Sequence, residues 1–321
     1  PILDNLKVPP AWSARADGYG GRSGWAGVGS VSSGAGEGRD ARWFDGRDWG
    51  EVGEKIIVGR TKGYHGMHVA GTSLAGIPLN REGYGELMPD TETVDWDNAK
   101  SLLGLIERLG ADRIAAFFCE PIIGAGGIYL PPEGYLDEVR QICRDHDVLF
   151  VADEVITGFG RIGGSWFASS RFSLEPDIMT TAKGLTCGYV PMGAVFISPR
   201  VAEPFYSGGV WWRHGYTYGG HAGAAAASMA VLDIIEREHL LDESLRLESD
   251  LAAALSPLAD LDTVSEVRTG LGAVSAIQLA DPAEGPAMNG RMRAQGVTGR
   301  VCGQGALQIS PAFVMTTEET K

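Results

Sequence analysis

The amino-acid sequence predicts an α/β protein whose central, mainly parallel sheet is covered by helices. Two patterns carry this prediction. Short segments that are wholly apolar, such as 115–119 and 148–152, indicate buried strands, and segments with apolar residues at helical spacing lie between them. Because wholly apolar strands alternate with helices mainly in parallel sheets that are covered on both faces, we expect that architecture here.

The predicted elements follow one another from residue 55. Helices are predicted over residues 98–109, where Asp97 and Gly110 would cap the two ends, and over residues 135–146. Buried strands are predicted over residues 56–58, 115–119, 148–152, 178–180 and 194–197.

The chain divides by pattern into three parts. Residues 1–54 show little periodicity and form an N-terminal segment in which we predict no element. Residues 55–238 carry the alternating strands and helices and would form the larger domain. Residues 239–321 begin with a charged helix and continue with short alternating strands over 264–279, which predicts a smaller C-terminal α+β domain.

The composition argues against several classes of protein. The 321 residues carry a formal net charge of −14, which does not suit a protein that coats nucleic acid or an anionic membrane. The four cysteines form no Cys-x-x-Cys pair, so we expect neither a disulfide framework nor a metal site. The longest apolar run, 222–232, is shorter than the ~20 residues of a membrane span. Since no secretory signal is visible, we expect a cytoplasmic protein.

Polar residues that directly follow predicted strands are the first candidates for function, since ligands of such sheets bind beyond the carboxyl ends of the strands. These residues are Glu120, Asp153, Glu154 and Lys183. Lys183 is flanked by small residues; it is either a buried amine that acts as a Schiff-base nucleophile or a surface lysine in a loop. Asp153 ends an apolar strand and therefore needs a partner, which could be a protonated pyridine nitrogen or an arginine such as Arg161.

Four segments of the sequence resemble motifs of the class III aminotransferases, and they occur in the family's order. They are residues 120–127 (EPIIGAGG), 151–161 (VADEVITGFGR), 182–193 (AKGLTCGYVPMG) and 214–221 (HGYTYGGH). The resemblance extends from about residue 55 to the end of the chain. It implies the fold type I architecture of pyridoxal 5′-phosphate enzymes, with the cofactor in the larger domain, and transaminase activity.

The resemblance implies roles for individual residues around the cofactor ring. Lys183 matches the lysine that carries the cofactor as a Schiff base and moves the substrate proton. Asp153 matches the partner of the pyridinium nitrogen. Val155 and Tyr64 match the residues on the two ring faces, although Tyr64 could instead be a core tyrosine. His65 stands next to Tyr64 in the same motif and is expected to contact the cofactor.

The resemblance also implies contacts to the phosphate and to the surrounding loops. Thr217 matches a threonine that reaches the cofactor phosphate of the neighbouring subunit, which implies a homodimer with shared active sites; it could instead be a strand threonine. Glu120 is expected at the cofactor site, orienting a loop rather than taking part in the chemistry. The family's phosphate-binding turn has only a weak counterpart at Ser33 and Gly34. Since residues 1–54 match poorly, we expect segments of a complete family member to be missing or joined here.

Two residues are candidates for contacts with the substrate. Arg300 aligns with an arginine that some members use to hold a substrate carboxylate through two hydrogen bonds, although a surface arginine would fit almost as well. Trp212 could line the substrate entrance or pack in an interface.

The predicted function is the transfer of an amino group from an amine or ω-amino acid to a keto acid, with pyruvate as the expected acceptor. Three alternatives remain open. Residues 24–29 superficially suggest a dinucleotide-binding loop but lack the flanking strand and helix. Another pyridoxal phosphate reaction, such as decarboxylation or amino-group migration, would use the same motifs. A non-catalytic relative that acts as a binding partner would account for the poor match of the N-terminal segment.

Overall fold

A computed structural model describes residues 55–207 and 217–321 of the chain. Within these residues the chain forms one sheet of six strands and one of four. No helix in the described part of the chain has the length and apolar character that crossing a membrane requires.

The six-stranded sheet confirms the mainly parallel architecture. Five of its strands are mutually parallel, and the last runs antiparallel at one edge. The sequence pattern missed the strand at the other edge because only Val94 of its four residues is buried. In pairing order the strands are β2 (Thr91–Val94), β1 (Ile56–Arg60), β3 (Ile114–Cys119), β4 (Leu149–Asp153), β5 (Ile178–Thr181) and β6 (Ala194–Ile197).

Helices cover both faces of this sheet, as predicted. The helices of the described residues are α1 (Val69–Leu74), α2 (Ala99–Leu109), α3 (Tyr135–Asp145), α4 (Ala168–Arg171), α5 (Pro199–Ser207), α6 (Ala222–Arg237), α7 (Leu240–Leu255) and α8 (Gly285–Ala294). Apolar residues of α2, α3 and α6 share one core with the strands. Leu74 of α1 and Val201 of α5 belong to a second core on the opposite face.

The caps of α2 agree with the prediction at one end only. Gly110 ends the helix with a φ of 89°, which glycine adopts without a steric penalty. At the other end, the predicted cap Asp97 was wrong by one position. Asn98 directly precedes the first helical residue, and its side-chain oxygen accepts a hydrogen bond from the backbone N–H of Lys100 at 3.2 Å.

The second sheet lies in the C-terminal part of the chain and is antiparallel. Its strands pair in the order β7 (Val264–Arg268), β8 (Ser275–Leu279), β10 (Ala306–Ile309) and β9 (Arg300–Cys302). The sequence predicted the first two of these strands and missed the last two, because glycines at 299, 303 and 305 interrupt the apolar pattern. A separate core in which Ile122 and Ile162 meet Val274 and Cys302 packs the small sheet against the loops of the large one.

The parallel register brings the strand ends of the large sheet together. Cys119 of β3 pairs with Ala152 of β4, and Asp153 of β4 pairs with Thr180 of β5. The chain therefore leaves β3, β4 and β5 at the same end of the sheet. This side, where the strands have their carboxyl ends, is named here the strand edge, and the polar residues predicted to carry function are found there.

Candidate active site

Asp153 lies at the end of β4 and is almost completely buried, at 3% exposure. Its Oδ2 atom lies 2.8 Å from Nδ1 of the equally buried His65, and its Oδ1 atom accepts a hydrogen bond from the backbone N–H of Val155 at 3.1 Å. For an ionised Asp153, the first bond requires that Nδ1 of His65 carries the proton. These two bonds stabilise a carboxylate that burial alone would disfavour.

The side chain of His65 is held in one orientation by the surrounding core. Its ring meets the ring of Phe118 edge-on, with 5.5 Å between the centroids. Among the described residues, no hydrogen-bond partner contacts its Nε2 atom. The imidazole therefore has one polar contact in the described structure, and that contact is Asp153.

Lys183 follows β5 directly and begins a short 3-10 turn, Lys183–Leu185. Its φ of 41° lies in the left-handed region, which a non-glycine residue rarely adopts. Solvent reaches its side chain through the neighbouring cavity, yet protein surrounds the ammonium closely enough that burial lowers the pKa of Lys183. The negative charges of Asp153 and Glu120 oppose this shift. Lys183 is thus an amine that loses its proton more easily than an ordinary lysine.

A cavity of about 440 Å³ opens in front of Lys183. The half-buried Tyr64 and the exposed Arg300 provide polar groups in its wall, together with Lys183. The rest of the wall includes small and apolar side chains, namely Ala125, Val155, Ile156, Ala182, Val190 and Met192. The cavity is therefore mostly apolar, with a few polar groups directed into it, as is typical of small-molecule sites.

Glu120 lies directly after β3 and joins two loops at this edge. Its Oε1 atom accepts a hydrogen bond from the backbone N–H of Tyr64 at 2.8 Å, and its Oε2 atom accepts one from Gly124 at 2.9 Å. Burial raises the pKa of Glu120, His65 lowers it, and the negative charge of Asp153 raises it further. Both carboxylate oxygens accept backbone hydrogen bonds, which hold Tyr64 and the glycine-rich loop that begins at Gly124 in place.

Glu154, which directly follows β4, is also occupied by structural contacts. It accepts hydrogen bonds from the hydroxyl and the backbone N–H of Ser169, both at 2.6 Å, and from Ala168 N at 3.0 Å. It therefore holds the start of α4 against the end of β4 and is not among the residues that line the cavity.

Arg300 enters the cavity from the small sheet, where it is the first residue of β9. Within the two described ranges of the chain, no carboxylate forms an ion pair with its guanidinium. Tyr64 and Arg300 both line the cavity; burial raises the pKa of Tyr64, and the positive charge of Arg300 acts against that shift. The guanidinium is accordingly available to a negatively charged group inside the cavity.

The remaining predicted residues lie apart from this cavity or outside the described structure. Thr217 is exposed, begins the turn that leads to α6 and is not among the residues lining the cavity. Ser33, Gly34 and Trp212 fall outside the described residues. No cluster of metal-ligating side chains is found in residues 55–207 and 217–321.

Several cavity residues were not singled out from the sequence. Thr186, Pro191 and Met192 line the cavity from the glycine-rich loop that follows Lys183, and Ile156 lines it from the turn after β4. The loops themselves are conspicuous in the sequence as motifs. The direction of each side chain could have been inferred only from the three-dimensional turn.

Comparison with known proteins agrees with this architecture. A family model described as class-III aminotransferase matches residues 41–321. A beta-alanine–pyruvate aminotransferase of Pseudomonas aeruginosa is 38% identical over 297 residues, which cover 84% of this chain and 66% of that protein. An omega-amino acid–pyruvate aminotransferase of Pseudomonas putida is 38% identical over 262 residues, which cover 74% of this chain and 58% of the relative. The chain thus spans less than two thirds of the length of these two relatives.

Two solved structures of omega transaminases are also similar to this chain. A thermostable omega transaminase variant, engineered for asymmetric synthesis of enantiopure bulky amines, superposes with a TM-score of 0.84 at 30% identity, covering 92% of this chain and 73% of that one. The omega transaminase of Pseudomonas jessenii in complex with PMP superposes with a TM-score of 0.83 at 30% identity, covering 91% and 71%.

Proposed function

This chain belongs to the class-III aminotransferase family, and from that premise we propose that it acts as a transaminase that uses pyridoxal 5′-phosphate. The amino group would pass from an amine or ω-amino acid to a keto acid, with pyruvate as the first acceptor to test. The observation that carries the proposal is the convergence of Lys183 and the Asp153–His65 pair on one strand edge, beside a mostly apolar cavity.

The residues at this edge fit the cofactor by their chemistry. The cavity volume of about 440 Å³ falls in the range of roughly 300–1,000 Å³ that small-molecule sites have. Asp153 is a buried carboxylate that still has acceptor capacity for a protonated ring nitrogen. Lys183 supplies an amine with a lowered pKa, as a Schiff-base lysine requires.

Each residue would contribute to holding the cofactor in a defined way. Asp153 would hold the proton of the ring nitrogen, and His65 would keep Asp153 oriented and negatively charged. Val155 and Tyr64, which both line the cavity, would pack against the two faces of the ring. Bound pyridoxal phosphate supplies the electron sink that allows a bond at the substrate Cα to break.

Lys183 would act as the base and acid of the reaction. Because its pKa is lowered, a larger fraction of its amine is neutral near pH 7 than for an ordinary lysine. The neutral Nζ atom can accept a proton from the substrate, and the resulting ammonium can return it. The apolar wall of the cavity would exclude water from this transfer.

We also propose contacts that involve the substrate and a second subunit. Arg300 would bind a substrate carboxylate, since its guanidinium lines the cavity and matches a carboxylate in geometry. The names of the two Pseudomonas relatives support β-alanine and pyruvate as substrates to test first. Ser33, Gly34 and, from the partner of a homodimer, Thr217 would contact the phosphate. Residues 55–238 and 239–321 would form the two domains.

The experiment that tests this function is a coupled assay on the protein reconstituted with pyridoxal phosphate. We expect β-alanine and pyruvate to yield alanine, and Asp153→Asn to reduce the rate by about a hundredfold or more, since the ring nitrogen would lose its anionic partner. If the wild-type protein binds the cofactor but forms no alanine with any of a panel of amine donors, the proposal is wrong.

A further inference from the structure

Arg300 reaches the cavity from the small sheet, so its position relative to the large sheet must be fixed by contacts between the two. We infer that Gly303 is a positioning residue for Arg300, because it fastens the strand that carries Arg300 to the loop of residues 124–127, named here the Ala125 loop. The inference rests on the proposed function, in which Arg300 holds a substrate carboxylate.

The backbones of Gly303 and the Ala125 loop are in direct contact. The N–H of Gly303 donates a hydrogen bond to the carbonyl oxygen of Ala125 at 3.0 Å. A Cβ atom at position 303 would lie only 2.1 Å from the carbonyl oxygen of Gly126, a distance that real Cβ atoms do not show. Since the obstructing atom belongs to the backbone, it cannot turn aside as a side chain could. Only glycine permits this close approach.

The Ala125 loop is itself held firmly on the side of the large sheet. Gly124 N–H donates to the carboxylate of the buried Glu120 at 2.9 Å. At Gly126, a Cβ atom would lie 2.0 Å from the carbonyl oxygen of Lys62, so the loop is also packed against the backbone that follows β1. The loop is therefore a fixed reference, and Ala125 extends it into the wall of the cavity.

A second contact ties the same region to the small sheet. Arg268, the last residue of β7, donates a hydrogen bond to the carbonyl oxygen of Gly127. Its guanidinium also lies 4.0 Å from the centre of the Tyr129 ring. Gly303 and Arg268 thus attach the small sheet to one short stretch of the large domain at two points.

The placement of Arg300 depends on this attachment. Arg300 is the first residue of β9 and Gly303 directly follows this strand, which has three residues and pairs only with β10 within the described sheet. No carboxylate in the described residues holds its guanidinium in place. A displacement of about 1 Å is enough to disturb a two-bond contact between a guanidinium and a carboxylate, so the backbone anchor at Gly303 sets the geometry of that contact.

The test compares two amine donors in the Gly303→Ala variant reconstituted with pyridoxal phosphate. The donor half-reaction is followed by cofactor absorbance, in the absence of keto acid, with β-alanine and with benzylamine, which carries no carboxylate. We expect the concentration of β-alanine that gives half-saturation to rise about tenfold with little change in the limiting rate. The constants for benzylamine should stay within about twofold of the wild-type values.

A second readout requires neither cofactor nor substrate. Hydrogen–deuterium exchange of the backbone amide of residue 303, whose N–H donates to Ala125 in the wild-type protein, should be faster in Gly303→Ala. The matched control is Gly296→Ala, which also has a positive φ, 86°, but has open space around its Cβ position and lies on the other side of Arg300 in the chain. We expect this control to leave both the donor preference and the exchange of the amide of residue 303 unchanged.

The outcomes separate this inference from the proposed function. Equal losses with both donors, or no loss with either, would overturn the role of Gly303. A wild-type protein that converts neither donor would instead contradict the transaminase proposal itself. If Gly303→Ala does not fold, Arg268→Met takes its place, because it removes the donor to Gly127 and keeps an apolar side chain against Tyr129. It should also weaken β-alanine selectively, and an unchanged donor preference would overturn the claim that the attachment of the small sheet to this loop positions Arg300.

Discussion

His65 and Asp153 are 88 residues apart in the sequence, yet Nδ1 of the imidazole lies 2.8 Å from Oδ2 of the carboxylate. Both side chains are buried, at 1% and 3% exposure. Since the carboxylate is almost completely shielded from water, the histidine replaces part of its hydration. The pair therefore explains how a charged aspartate can stand at the end of an otherwise apolar strand.

Removing this histidine should destabilise the protein. We expect His65→Leu to lower the free energy of unfolding by about 2 kcal/mol, because a buried carboxylate loses a hydrogen bond that involves a charged group. Urea denaturation of the cofactor-free protein measures this change. His68→Leu, an exposed histidine three residues away, is the matched control and should change stability by less than about 0.5 kcal/mol. Equal effects of the two variants would show that the Asp153 contact contributes nothing.

The lowered pKa of Lys183 predicts a specific dependence of stability on pH. Between the folded-state pKa and the ordinary value of 10.5, the unfolded chain binds more protons than the folded one, so the contribution of Lys183 to stability improves as pH rises through that interval. We therefore expect Lys183→Met to be more stable than the wild-type protein at pH 7 without cofactor, with the difference shrinking towards pH 10.5.

The measurement for Lys183 is a series of urea denaturation curves at increasing pH. Lys100→Met, at an exposed position on α2, serves as the control and should show no such trend. A stability difference for Lys183→Met that stays constant over the whole pH range would contradict the shifted pKa.

The close packing of Gly124 against Ile156 predicts that a larger residue at position 124 reduces the size of amine donor that the cavity accepts. A Cβ atom at this position would lie 2.0 Å from Cδ1 of Ile156, whose side chain lines the cavity and would have to move. We expect Gly124→Ala to reduce kcat/KM for bulky aromatic amines about tenfold and to affect β-alanine much less. The double variant Gly124→Ala/Ile156→Ala should restore the bulky donors; failure to restore them would place the effect elsewhere.

The proposed role of Thr217 predicts that a second subunit contributes to the cofactor site. Its side chain is exposed in the single chain, as expected for a group that serves a neighbouring site. We expect Thr217→Ala to weaken pyridoxal phosphate binding about tenfold, through loss of one hydrogen bond to a phosphate. Equilibrium dialysis measures this affinity, with the exposed Thr263→Ala as control. An unchanged dissociation constant would remove Thr217 from the cofactor site.

The strand ends were predictable because both of their determinants are local. Apolar runs such as the one before Asp153 mark buried parallel strands, and parallel strands place their carboxyl ends at one edge. Once the runs were located, Glu120, Asp153 and Lys183 were expected at the same edge, where the structure has them. The mainly parallel sheet follows from the same reasoning.

Other features could not be predicted because they depend on contacts between distant segments. Nothing near His65 in the sequence indicates that its ring would meet Asp153, since the contact arises from the packing of the β1 loop beneath β4. The strand that carries Arg300 lacks an apolar run because it has only three residues, between glycines at 299 and 303. Likewise, the need for glycine at position 303 comes from a backbone that lies far away in the chain, at Gly126.

The most direct test of the account is to locate the cofactor attachment site. The protein is incubated with pyridoxal 5′-phosphate, reduced with borohydride, digested, and its peptides are mapped by mass spectrometry. We predict a single modified lysine, Lys183, and no covalent adduct in Lys183→Ala under the same conditions. Modification of another lysine instead, or an adduct that persists in Lys183→Ala, would contradict the assignment of Lys183 and with it the proposed mechanism.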